Sequence, residues 1–137
     1  MTWFYKDKEF LSEDIKEYQG FVYCITFTDN NKKYIGKKFF YSTKSKIVKG
    51  KKKKIKLESD WKDYYSSSKY LKELVELNGK DKFKREILEL CKSKSSTNYT
   101  ELKYQILLDV LQALDENNER IYLNENIALK YYPSNIK

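Results

Sequence analysis

Residues 20–40, GFVYCITFTDNNKKYIGKKFF, constrain this chain more than any other stretch. Phe21, Val22, Tyr23, Ile25, Thr26, Phe27 and Thr28 are aromatic or β-branched, and such side chains pack well on a pleated surface. Asp29-Asn30-Asn31 is a turn cluster, because asparagine tolerates the left-handed backbone that tight hairpins need. Lys33, Tyr34, Ile35 and the residues up to Phe40 form the return strand. A two-residue turn at Asn30-Asn31, or a four-residue loop over 29–32, sets Tyr23 opposite Lys38 and Phe27 opposite Tyr34. Side chains alternate along a strand, so Tyr23, Tyr34 and Lys38 then share one face of the sheet. A three-residue loop would separate the two tyrosines, and the first register is the expected one.

The remaining elements follow from periodicity. After Ser66, Ser67 and Ser68, the run KYLKELVELNG carries Leu71, Leu74, Val75 and Leu77 as a helical stripe. A serine caps its start and Asn78-Gly79 stops it. Residues 82–91, KFKREILELC, read as a third strand. Thr97 to about Leu114 reads as a longer helix, with Leu102, Ile106, Val110 and Leu114 at helical spacing. Residues 1–19 read as an extension on the core, with Ser12 capping a short helix. The tail from Ile121 to Lys137 contains Asn124, Asn126, Asn135 and the only proline, Pro133. The order β-β-α-β-α is an α+β layout, and 137 residues suit a single domain over 1–137 with one modest core.

Charge is placed unevenly. Ten lysines and no acid lie between Lys37 and Lys56, while the whole chain carries +8, so the remainder sums to 8 − 10 = −2. A basic segment of this kind, the insert 41–58 with its approach, is the footprint of a phosphate-backbone partner; the competing account is a solvated loop that aids solubility. Lys37, Lys44, Lys46, Lys51, Lys52, Lys53 and Lys54 are the candidate phosphate contacts. Cys24 and Cys91 stand apart in apolar contexts, without zinc or disulfide spacing, and read as buried core residues. The absence of histidine excludes Ser-His-Asp and Cys-His designs and every histidine general base. No apolar run is long enough to span a bilayer and no signal-peptide core is present, so a soluble cytoplasmic protein is expected.

Phe21-Val22-Tyr23 and Tyr34-Ile35-Gly36 resemble the paired signature of the GIY-YIG nucleases, with the two tyrosines eleven positions apart. Phe21 and Val22 stand where the family has glycine and isoleucine. Asn98 to Leu102, NYTEL, resembles the segment that carries the family's metal-binding glutamate, here Glu101. YIGKKFF followed by ESDWKDYYSSS resembles the free-standing, phage-encoded members known as homing endonucleases. The resemblance covers residues 20 to about 115.

The resemblance implies a three-stranded antiparallel sheet flanked by helices and hydrolysis of phosphodiester bonds in DNA, with double-stranded DNA as partner. It also implies one divalent ion, Mg2+ or Mn2+, and, for a phage protein, work in the host cytoplasm. It makes Glu101 the metal ligand and gives Tyr23 and Tyr34 the roles of base and phosphate positioning. A free phenol, with a pKa near ~10, needs help from a cation to act as a base. The family's arginine after Y-I-G has no counterpart before Arg85; Lys38 lies on the matching face and Lys44 at the matching distance along the chain. A lysine supplies charge without arginine's bidentate fork. Tyr64, Tyr65 or Ser66 stands near a position where the family often has histidine or tyrosine. Ser66 and Ser67 open a helix start that can hold a phosphate. Asn126, rather than Asn124, corresponds to a supporting late asparagine. The alternative reading is a DNA-binding protein of the same fold with little or no catalysis; a basic RNA-binding or host-interaction protein is supported by charge alone.

Overall fold

The computed structural model describes residues 2–127; Pro133 and Asn135 lie outside them. Strands β3 (Gly20–Phe27) and β4 (Lys32–Phe39) form the expected hairpin, preceded by β1 (Trp3–Tyr5) and β2 (Lys8–Phe10). Its connection is a four-residue loop, but over residues 28–31. Asn31 adopts the left-handed conformation at φ 58°. The Asn30 side chain accepts the Lys32 backbone N–H at 3.0 Å, so the strand restarts at Lys32. The expected register is thereby corrected: Tyr23 faces Gly36, and Tyr34 faces Ile25. A shift of two keeps every side chain on its expected face.

After the insert strands β5 (Tyr41–Val48) and β6 (Lys51–Glu58) comes helix α1 (Lys69–Asn78), then β7 (Phe83–Cys91) and helix α2 (Lys94–Leu107). The main sheet runs β2-β1-β7-β3-β4. Its antiparallel trio β7-β3-β4 is the expected three-stranded sheet. The register of β3 on β7 shifts between Val22 and Tyr23, a bulge that leaves Leu88 unopposed. Residues 1–19 contribute more than an extension. β1 lies parallel to β7 and pairs antiparallel with β2, across a turn in which Lys6 and Asp7 both have positive φ. Ser12 does not cap a helix. It lies in a single 3-10 turn in which Asp14 accepts the Leu11 N–H at 2.9 Å, and its hydroxyl donates to Glu58 at 3.0 Å.

The two sheet faces carry different cores. Phe21, Tyr23, Ile25 and Phe27 of β3 pack with Trp3, Phe10, Phe40, Trp61 and α1's Leu71 and Val75. Val22, Cys24 and Ile35 pack with Val110, Leu111 and Ile127, and with Leu102 and Tyr104 of α2. Both cysteines are free and buried, as expected. Helix α1 is capped as anticipated, Ser68 accepting from the Leu71 N–H at 3.3 Å, and stops at Gly79 with φ 91°. Leu77 does not join its stripe and is 82% exposed. Helix α2 starts earlier than its expected Thr97, capped by Ser93. It also ends earlier than Leu114, because Asp109 turns left-handed at φ 49°. Val110 reaches the core just past the helix end, while Ile106 and Leu114 stay exposed. Among the described residues, no helix is long and apolar enough to cross a membrane.

Candidate active site

Strand β4 lies at the edge of the main sheet, so every second residue turns its backbone N–H and C=O away from β3. Those groups find partners in sequence order. Lys33 exchanges hydrogen bonds with the backbone of Ile121 and Leu123. The Asn124 side chain then imitates a peptide: its Oδ1 accepts the Ile35 N–H at 3.0 Å and its Nδ2 donates to the Ile35 carbonyl at 2.7 Å. At the next rung the Glu101 carboxylate lies beside the Lys37 backbone N–H, which favours its ionised form. Glu101 therefore reaches the open edge of β4, although α2 packs on the face opposite the tyrosines.

On the tyrosine face, Tyr23 and Tyr34 lie with ring centroids 6.3 Å apart and nearly parallel. They close over Gly36. A Cβ built there would lie 2.6 Å from Tyr23 Cζ and 3.0 Å from Tyr34 Cε1, so only glycine admits both rings. Tyr64 meets Tyr23 edge-on at 6.1 Å, with the two hydroxyls close enough for Tyr64 to affect the ionisation of Tyr23. Ser67 lies beside the Tyr34 hydroxyl and favours its ionised form. These groups, with Lys37, Lys38, Lys94, Ser42, Ser59 and Glu101, line one cleft of about 430 Å³.

Burial, and then the neighbouring phenols Tyr64 and Tyr34, push the Tyr23 hydroxyl well above the ordinary tyrosine range. Burial also raises Tyr34. Both are neutral phenols near pH 7, suited to donating hydrogen bonds rather than to removing protons. Burial raises Glu101, while Lys37 opposes the rise, its Nζ 3.8 Å from the carboxylate. Lys37 also bonds Asn98. Lys38 stands over the Tyr64 ring at 4.2 Å and pairs with Asp60 at 2.6 Å.

Of the candidate site residues, the structure brings Tyr23, Tyr34, Lys37, Lys38, Ser67 and Glu101 to this cleft. Ser66 is fully buried with φ 83°, its hydroxyl accepting the Ser68 N–H. Asn126 is exposed in a neighbouring hollow that shares Tyr34 and Ser67, whereas Asn124 is the asparagine tied to β4. Lys44, Lys46 and Lys51 to Lys54 lie along β5 and β6, away from the cleft wall. Sequence reasoning missed Lys94, the first residue of α2, and Ser42 and Ser59 at the root of the insert. Moving the α2 start back to its Ser93 cap would have placed Lys94 beside the site.

The family model described as "Putative endonuclease segE, GIY-YIG domain" matches residues 3–127. The chain belongs to the GIY-YIG endonuclease family. No curated protein and no solved structure gives a significant match. A GIY-YIG domain implies nuclease chemistry on a nucleic-acid substrate. In this member, both arginines serve the scaffold. Arg85 donates to the carbonyls of Lys62 and Tyr64, each at 2.9 Å, and stacks between Trp3 and Tyr65. Arg120 donates to the carbonyls of Val110 and Asn124. The cations of this GIY-YIG cleft are therefore lysines.

Proposed function

We propose that the protein is a metal-dependent endonuclease hydrolysing phosphodiester bonds of double-stranded DNA, of the free-standing homing type and working in the cytoplasm of a host cell. The observation that carries this reading is the meeting of Tyr23, Tyr34 and Glu101, from three separate elements, in one lysine-rimmed cleft.

Among the described residues, Glu101 is the only acid lining the cleft, and no cluster of three or more candidate metal ligands occurs. That donor set does not make a closed cage. It fits Mg2+ or Mn2+, hard ions that keep several waters and bind through one or two carboxylates together with substrate phosphates. Glu101 would hold the ion, the cation displacing Lys37 as its counter-charge. Once bound, the ion supplies charge neutralisation at the leaving oxygen.

The chain's own groups do the rest. Lys37, Lys38 and Lys94 hold the scissile phosphate and offset its growing negative charge. The Tyr34 hydroxyl, kept protonated by burial, donates to a phosphate oxygen and is aimed by Ser67. Tyr23 fixes the Tyr34 and Tyr64 rings and aligns the phosphate for in-line attack. Water adds to phosphorus as the P–O bond to the leaving sugar oxygen breaks, and the proton that the attacking water gives up to solvent is balanced by the one that the leaving oxygen takes from solvent.

A second reading has its own support. With both arginines bound to backbone carbonyls, the cleft lacks a bidentate phosphate clamp, which favours a DNA-binding protein of weak or no catalysis. Incubating supercoiled plasmid with the purified protein, in Mg2+ and in excess chelator, separates the two. Nicked or linear product in Mg2+ alone is the expected result. Intact plasmid despite measurable DNA binding selects the second reading.

A further inference from the structure

The insert is a complete antiparallel ribbon rather than a solvated loop. Tyr41 to Val48 pairs residue for residue with Lys51 to Glu58. Lys49 and Gly50 turn the chain, both at positive φ. At ~3.4 Å per residue the ribbon reaches about 27 Å from the cleft. That equals about 8 base pairs of duplex at ~3.4 Å each.

The pairing assigns each lysine to a face. Lys44, Lys46, Lys51 and Lys53 share the face of Ser42, which lines the cleft; Lys52, Lys54 and Lys56 share the other. The second face is tied at its root to the body, through Lys56 to Gln19 and Glu58 to Ser12. Both faces are cationic along the whole reach, and Glu58 at the root is the ribbon's one acid. Lys46 stands directly opposite Lys53. Like charges so placed oppose the pairing that makes the ribbon. A polyanion on each side removes that opposition.

A ribbon resting on one DNA backbone would need cations on one face only. A ribbon inside a groove has a phosphate wall on either side. The major groove, ~12 Å wide, admits two paired strands; the minor groove, at ~6 Å, does not.

We propose that the β5–β6 ribbon enters the major groove of duplex DNA beside the cleft, with its two lysine faces contacting the phosphates of opposite strands. This rests on the reading of the protein as a DNA endonuclease.

The test compares two variants of equal charge loss in the full chain. One is Lys46→Thr with Lys53→Thr, and the other is Lys52→Thr with Lys54→Thr; threonine keeps strand propensity. Duplex affinity is measured at several salt concentrations. Each phosphate contact contributes ~0.9 to the log–log salt slope, so each pair should flatten it by up to about 1.8. Arginine at the same four positions should retain the wild-type slope, which guards against a misfolded ribbon. Bulky substituents at pyrimidine C5, filling the major groove, should weaken binding, whereas a minor-groove ligand should not compete. Flattening by one pair alone means a ribbon lying on one backbone and overturns the proposal. Equal slopes in all variants remove the ribbon from the interface and also overturn it. A-form duplex RNA has a major groove too deep and narrow for side chains to read, so RNA binding with the same two-faced response overturns it as well. These outcomes leave the endonuclease reading standing. Wild-type protein without duplex affinity would sink both.

Discussion

Gly36 is the residue on which the tyrosine pair depends. Tyr23 is 1% exposed and held by Trp3, Phe21 and Tyr64, so it cannot move aside for a Cβ. Gly36→Ala should cost about 1–3 kcal/mol, the range for overpacking a filled core. Urea denaturation measures this, and a loss below a few tenths would mean that the rings are loosely held. The shared face of Tyr23 and Tyr34 was legible in the sequence, because side-chain alternation fixes it whatever the even loop, whereas Glu101 entered through the family resemblance alone. Asn124 was not legible. Its value lies in matching the two backbone groups of Ile35, and a pairing between residues 89 positions apart has no local signature. Ser66 misled for the opposite reason, since three adjacent serines look alike until the backbone turns one of them inward.

Among the elements, the edge of β4 decides where Glu101 can stand. Asn124→Ala would leave the Ile35 N–H without its side-chain partner, while the Ile35 C=O keeps the Gln105 side-chain amide at 3.3 Å, at about 1–3 kcal/mol for one buried unsatisfied group. Hydrogen exchange at Ile35 and Lys37 should quicken in that variant while β7 amides keep their protection. Loss of protection across the whole sheet would instead make Asn124 a general core residue. The ribbon yields a second expectation. Isolated hairpins are marginal in water, and this one carries Lys46 against Lys53, so duplex DNA should slow exchange of its amides more than those of β3. The main hairpin and α1 could be read from turn and cap residues. The three-residue strands β1 and β2 could not, being too short to show a period and joined by Lys6-Asp7 rather than a typical turn pair. The end of α2 was misjudged because Val110 and Leu114 keep helical spacing after the backbone has left the helix at Asp109.

For the whole molecule, the titrating groups bound a stability plateau. A hydrogen bond with Lys38 lowers the Asp60 carboxyl, and backbone N–H donors together with Lys32 lower that of Asp115. Groups depressed in the folded state stabilise it above their unfolded pKa, ~3.9 for aspartate, and that contribution is lost as pH falls through the folded values. Burial raises Tyr23, Tyr34, Tyr65 and Tyr122. Their contribution is complete below the unfolded pKa of ~10 and is lost as pH rises through the folded values. Glu101, raised by burial, acts against the aspartates at the acid end, so the urea midpoint should fall as the aspartates protonate and again above about pH 9, where the tyrosines begin to ionise in the unfolded chain. Stability that increases beyond either end would show that other groups dominate.

The global charge pattern was legible as a sum but not as a shape, because a run of lysines does not disclose which face of a ribbon each one takes. Assembly of the cleft is a property of the whole chain too, since its acid comes from α2, its phenols from β3 and β4, and its cations from β4 and α2. The most direct measurement of that assembly is Mg2+-dependent plasmid cleavage by Glu101→Gln beside wild type, with circular dichroism and duplex affinity recorded for both. The predicted result is a folded variant that binds DNA with affinity close to wild type and leaves the plasmid intact. A folded Glu101→Gln protein that cleaves as fast as wild type would contradict the account.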